Sequence, residues 1–228
     1  MGRFETEVLA QTGNLAALMD LPATWIDQVQ QRRATDRIIL DLDSSVSQTH
    51  EQQQGSAYNG YFECTCYHPL FCFNQHGDLE RALLRNGNVP SADEWRSVIQ
   101  PVVARYRHRA GKFTRYFRGD AGFANPEVYE FLEAEGYLYT IRLPANAVLQ
   151  REIAYLLTRP VGRPPHQPII LYDSFAHRAA SWSTPRRVVA KVEWHAGELF
   201  PRVGFIMTNL RRDEENVVRF YNGRGTAD

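Results

Sequence analysis

Residues 37–42 (RIILDL) constrain the fold more than any other stretch, because an apolar run this short ends at once in Asp43, Ser44 and Ser45. A continuous run of isoleucine and leucine reads as a strand covered on both faces by helices. Polar side chains at the exit of such a strand stand where α/β sheets place their chemistry. Asp41, two residues before Asp43, falls on the same strand face and competes with it for any such role.

The rest of the chain alternates helical and extended patterns. Residues 1–36 read as one or two helices around a break at Pro22, a helical lead-in to the core. The aromatic-rich residues 61–74 suit two strands with a turn at His68-Pro69, and residues 79–84 a third strand. Ser91 offers a hydroxyl cap with Glu94 three residues on, ahead of Trp95, Val98, Ile99, Val102, Val103 and Tyr106 at helical spacing, so a helix is expected from Ser91. A strand over residues 112–118 leads into Gly119-Asp120. Asn125-Pro126-Glu127 then opens a helix stopped by Gly136, and residues 137–143 return as a strand.

That order predicts an α/β layer: an RNase H-like mixed sheet of about five strands flanked by helices, with a β-rich insertion subdomain. Residues 37–143 form the first part of the core. Residues 144–200, where six prolines separate β-prone runs at 169–172 and 188–194, form the insertion. Residues 201–228 bring the final core strand and the start of a helix.

Composition narrows the partners. Lys and Arg number 26 and Asp and Glu 26, so no global basic field draws the chain to a polyanion. Local patches would have to serve, and two can be read: residues 105–118, with six basic side chains, and the pair Arg186 and Arg187. Cys64, Cys66 and Cys72 include no Cys-x-x-Cys pair. Alternate spacing fits buried strand thiols better than zinc ligands, and an odd count without a signal peptide points to a reducing compartment. No apolar run approaches the roughly 20 residues of a membrane helix.

Asp43 and Asp120 each follow an apolar strand. Two carboxylates brought together at neighbouring strand ends repel unless a divalent cation neutralises them, and Mg²⁺ takes oxygen ligands while keeping positions open for water and phosphate. Two ions about 4 Å apart can activate an attacking oxygen and stabilise a leaving one. An aspartate at a strand end also serves as an ordinary turn-former or cap, so these two alone leave both readings open.

Three blocks resolve that choice by resemblance. Residues 38–45 (IILDLDSS), 116–123 (YFRGDAGF) and 220–227 (FYNGRGTA) resemble the catalytic blocks of bacterial insertion-sequence DDE transposases, in the branch with a β-rich insertion before the third acid. Further similar segments, 55–60, 66–70 and 142–146, extend the resemblance over the whole chain. In that family a tyrosine is followed three residues on by arginine and four further by the catalytic glutamate. Tyr221 and Arg224 match the first two places, and Asp228 stands at the glutamate's, one methylene short.

The resemblance implies a core cut at both ends, with Asp43, Asp120 and Asp228 as catalytic metal ligands for Mg²⁺ or its substitute Mn²⁺. It implies DNA as partner, Tyr221 and Arg224 on phosphates of the transposon end, and Ser44 and Ser45 holding Asp43 or touching the DNA backbone. A homodimer in a bacterial cytoplasm is the expected setting, with cleavage and strand transfer as the chemistry. Two readings compete: a non-catalytic remnant that binds DNA or an intact transposase, and an unrelated RNase H-like nuclease. His50 and His68, near the first block, read as structural or solvent-facing.

Overall fold

A chain that alternates short apolar strands with amphipathic helices buries apolar strand faces against those helices, and both units of this one pair strands with helices. The computed structural model describes residues 2–33, 35–51, 53–108, 113–162 and 166–224. Two compact units divide the chain, one over residues 1–116 and one over 117–228.

The first unit is built on β1 (Arg37–Ser44), β5 (Leu70–Asn74) and β6 (Leu79–Leu83), with β5 antiparallel to both neighbours. Ile38, Leu40 and Leu42 of β1 are fully buried, whereas Asp41 on the other face is half-buried and Asp43 exposed. A three-stranded sheet follows directly after β1: β2 (Ser47–Gln48), β3 (Ala57–Asn59) and β4 (Cys64–Tyr67), ordered β2-β4-β3. Cys66 and Cys72 are buried on β4 and β5 as strand thiols, with Cys64 half-buried beside them.

Helix α1 (Thr12–Arg32) runs unbroken through Pro22, contrary to the break expected there. Leu18, whose carbonyl Pro22 cannot serve, is 44% exposed, so water can satisfy the lost bond. Helix α2 (Trp95–Arg107) buries the six apolar residues that predicted it, but it starts at Trp95 and not at Ser91. Arg85 explains the later start. Its guanidinium donates to the carbonyls of Pro90, Ser91 and Asp93 at 3.3, 3.1 and 2.6 Å, and this holds the approach as a turn. The turn closes with Glu94 in the left-handed region at φ 52°, outside the right-handed conformation of a helix interior, so the helix begins at the next residue.

Glu80 of β6 is buried beneath α2, where Arg105 and the Tyr106 hydroxyl bind it; the hydroxyl donates at 2.8 Å and Asn74 donates at 3.1 Å. Burial pushes the Glu80 carboxyl above its ordinary range despite the adjacent guanidinium. The desolvation therefore exceeds what the partners return.

The second unit carries β7 (Thr114–Gly119), into which the boundary falls, then β8 (Leu138–Leu143), β9 (Ile169–His177), β10 (Arg186–Trp194) and β11 (Arg202–Thr208). Their order is β7-β8-β11-β10-β9, with β8, β11, β10 and β9 successively antiparallel. With three strands in the first unit's main sheet as well, the strand number exceeds the five expected. The connection from β7 to β8 passes through α3 (Pro126–Ala134), the kind of crossover that parallel neighbours require. Residues 144–200 contain α4 (Ala147–Glu152), β9 and β10, and those two strands extend the sheet from β11. Helix α5 (Glu214–Asn222) packs on β8, β9 and β10.

Arg186 at the start of β10 ties that strand to α3. It donates to both oxygens of Glu133, at 2.8 and 2.9 Å, and lies over the rings of Tyr129 and Trp182. Partial burial pushes the Glu133 carboxyl up, but hydrogen bonds from Arg186 and Tyr139 outweigh it and leave the group below its ordinary value.

Two outcomes follow from these pairs. Glu80→Ala leaves the Arg105 charge with the longer Asp27 pair at 3.7 Å and should cost about 3 kcal/mol in urea unfolding, while Glu80→Leu with Arg105→Met should recover most of it. Because the Glu133 carboxyl is lowered from 4.5, the unfolded chain takes up that proton first. Its contribution is thus present above about pH 4.5 and lost as pH falls, and Glu133→Gln should flatten that part of the stability profile.

Candidate functional site

In the first unit the exit of β1 carries the first acidic block. Asp43 is exposed and stands opposite Phe71 of β5, and Ser44 opposite Leu70. Asp41, opposite Phe73, shares the Asp43 face but is drawn further into the sheet. The Ser45 amide donates to the Pro69 carbonyl at 3.1 Å, so Ser45 is fixed by its backbone while its side chain remains exposed. His68 is buried with its Nδ1 3.0 Å from the Val89 carbonyl, and His50 is exposed.

In the second unit the strand β7 ends at Gly119 and delivers Asp120. One Asp120 oxygen, Oδ1, accepts from the Gly122 amide at 2.8 Å and caps the turn over Ala121–Phe123. The other, Oδ2, lies 3.9 Å from the Arg224 guanidinium. Arg224 in turn reaches the Tyr221 hydroxyl at 3.5 Å, across the end of α5. The second block and the tyrosine-arginine pair of the third therefore converge, although they lie about a hundred positions apart in sequence.

Arg118 makes that convergence. Only 6% exposed, it donates to the Phe220 carbonyl at 3.0 Å and lies 5.4 Å from the centre of the Phe220 ring. A Cβ at Gly223 would come within 2.7 Å of the same guanidinium. Gly223 has an ordinary helical φ of −69°, so the close approach of Arg118, and not backbone strain, is what a side chain there would disturb. Sequence reading missed this role because Arg118 counted only as part of a basic run.

Several members of that run and the later pair are drawn into the fold, although Arg107 is exposed. Arg105 binds Glu80, Arg118 holds α5 and Arg186 is 6% exposed against Glu133. Arg187 donates to the carbonyls of Leu210 and Arg212 and pairs with Glu214. Arg109 and Lys112 lie outside the described residues, as does Asp228.

Hard carboxylate oxygens are the donors that Mg²⁺ or Mn²⁺ prefers, and Asp43 and Asp120 supply them with partial exposure. A guanidinium already drawn toward Asp120 marks a place where positive charge is favoured. The donor chemistry therefore fits a divalent cation. Among the described residues no group of three His, Cys, Asp or Glu side chains is clustered to hold a metal.

Removing the clamp tests its reach. Arg118→Leu should speed hydrogen exchange of amides 219–223 by about tenfold, for a lost charged hydrogen bond of about 1.5 kcal/mol, with β10 and β11 unchanged. Uniform exchange across the unit would show that Arg118 does not hold α5.

The family model described as "Transposase DDE domain group 1" matches residues 1–228. No curated protein matches. Among solved structures, the chain is similar to one described as "Cryo-EM structure of piggyBac transposase synaptic complex with hairpin DNA (SNHP)". The TM-score is 0.47 and the identity 13%, over 83% of this chain and 38% of that one. The chain thus spans well under half the length of that transposase. No helix among the described residues is long and apolar enough to cross a membrane.

Proposed function

Since this chain belongs to the Transposase DDE domain group 1 family, whose members depend on divalent metal and bind DNA, we propose that it carries the family's phosphodiester chemistry, with Asp43, Asp120 and Asp228 as the catalytic acids. The observation that carries the reading is the approach of Arg224, itself beside the Tyr221 hydroxyl, to Asp120, because it unites two sequence blocks that chain distance would separate. Asp43 is preferred over Asp41 because it is exposed at the strand exit while Asp41 is half-buried.

In this reading the three carboxylates would hold Mg²⁺, with Mn²⁺ as a substitute. Bound there, the cation would supply Lewis-acid stabilisation of charge at the attacking and leaving oxygens. The protein's own part is positional. The Gly122 amide fixes the Asp120 carboxylate through Oδ1, so Oδ2 is presented without rotamer searching. Arg224 at 3.9 Å forms a partly exposed pair worth under about 1 kcal/mol, so it yields Oδ2 readily to a cation. Arg224 and the Tyr221 hydroxyl then offer donors to a phosphate of the transposon end, the guanidinium by its planar fork. Ser44 and Ser45 hold the first acid's strand end and contact the DNA backbone. A homodimer is proposed as the working form.

The test is end cleavage in Mg²⁺ or Mn²⁺ by this chain beside single variants. Asp43→Asn and Asp120→Asn should each lower the rate by about a hundredfold to a thousandfold, as loss of a transition-state charge partner does. Both should leave thermal unfolding within a few degrees of the parent. Asp228→Glu, which restores the family's third acid, should raise the rate. Equal cleavage by Asp43→Asn would overturn the assignment, and DNA binding without cleavage by any form would favour the non-catalytic reading.

A further inference from the structure

A cavity of about 260 Å³ lies within the second unit, between α5 and the open face of β11. Strand register defines its rim. Lys191 stands opposite Gly204, Glu193 opposite Arg202 and Arg142 opposite Ile206, and directly opposed residues share one sheet face. The cations Arg142, Lys191 and Arg202 are therefore on the same side. Val218, Tyr221 and Asn222 of α5 form the facing wall.

The cavity is open because of Gly204. A Cβ built there meets no atom within 4 Å, so a larger side chain would stand in the space and not in the core. The charges on its rim differ in availability. The Lys191 ammonium is 2.6 Å from Glu193, which largely neutralises both, and Arg202 is bound to Glu198. Arg142 is exposed and has no hydrogen-bond or ion-pair partner among the described residues. The Tyr221 hydroxyl accepts weakly from Arg224, and no described residue takes its proton.

We propose that this cavity is a binding site for a DNA backbone phosphodiester, with Arg142 as the phosphate-holding cation, Tyr221 forming part of the wall and Gly204 keeping the floor open. The proposal rests on the reading of this chain as a DNA-binding transposase domain and adds a subsite to it. A phosphodiester suits the chemistry: a free guanidinium offers two parallel donors to one phosphate, and the paired Lys191 and Glu193 leave that charge unopposed. An apolar occupant would leave the Arg142 guanidinium without a partner in the contact. Tyr221 lines the cavity and its hydroxyl also meets Arg224, which lies 3.9 Å from Asp120, so a strand held at Asp120 could continue across it.

The experiment is fluorescence anisotropy with a short labelled DNA duplex in EDTA, which separates binding from cleavage, over a series of salt concentrations. Arg142→Gln and Gly204→Leu should each raise Kd about tenfold, the loss of one phosphate contact. Arg142→Gln should also lower the slope of log Kd against log salt by about one. Arg142→Lys should restore part of the affinity, and Gly204→Ala should bind within about twofold of the parent, its methyl having room. Because Arg142 is exposed, Arg142→Gln decides the matter even where Gly204→Leu fails to fold. Parent-like Kd and salt slope for Arg142→Gln, with the parent binding the duplex, would overturn the subsite alone. A parent chain that binds no duplex would overturn the underlying reading as well.

Discussion

Placing a buried guanidinium at Arg118 is the constraint on which the second unit's candidate chemistry depends. Taking an arginine to 6% exposure is costly unless its donors are used, and here the Phe220 carbonyl and ring receive them. The consequence is geometric. Two residues beyond Arg118 comes Asp120, and four residues beyond Phe220 comes Arg224, so one contact sets the spacing of both. A strand end and a helix end, far apart in the chain, are thereby registered against each other.

The same use of guanidinium groups recurs at three other arginines of a chain with zero net charge. Arg85 turns the approach to α2, Arg105 answers a buried carboxylate and Arg186 bridges β10 to α3. Each of these guanidinium groups satisfies several acceptors at once, which a lysine ammonium could not do in the same plane. A count of positive residues along the sequence therefore locates structural struts more readily than it locates a polyanion surface. Register across β8, β10 and β11 is what gathers exposed cations on one face, and register is a property of pairing that no single strand announces.

Much of the architecture was nevertheless legible in the sequence. The run from Ile38 to Leu42 specified a strand, which formed with one face buried and the other half-buried, and Trp95 to Tyr106 specified a helix because its spacing was strict. Local chemistry was misread where tertiary contacts intervened. Ser91 has every attribute of a cap, yet Arg85 claims the carbonyls around it, and Pro22 has every attribute of a breaker, yet an exposed helix absorbs it. For the site, resemblance to the three transposase blocks brought Tyr221, Arg224 and Asp120 into consideration together. Arg118 and Gly204 carried no signal of their own, since a buried clamp and an open floor are defined only by what surrounds them.

Arg224 faces two demands that a single guanidinium cannot meet at full strength. It lies 3.9 Å from Asp120 and 3.5 Å from the Tyr221 hydroxyl, and on the proposed reading it also meets a DNA phosphate. A phosphate carries its charge on several oxygens and accepts bidentate donation, so it competes well for a guanidinium held only by a long, partly exposed pair. Each step of Arg224 toward DNA leaves Asp120 with less positive charge beside it. A carboxylate so exposed, still oriented by the Gly122 amide, gains affinity for a cation at the moment the polyanion arrives. Substrate and metal would then reinforce one another through one side chain, by the reciprocity that any coupled binding obeys.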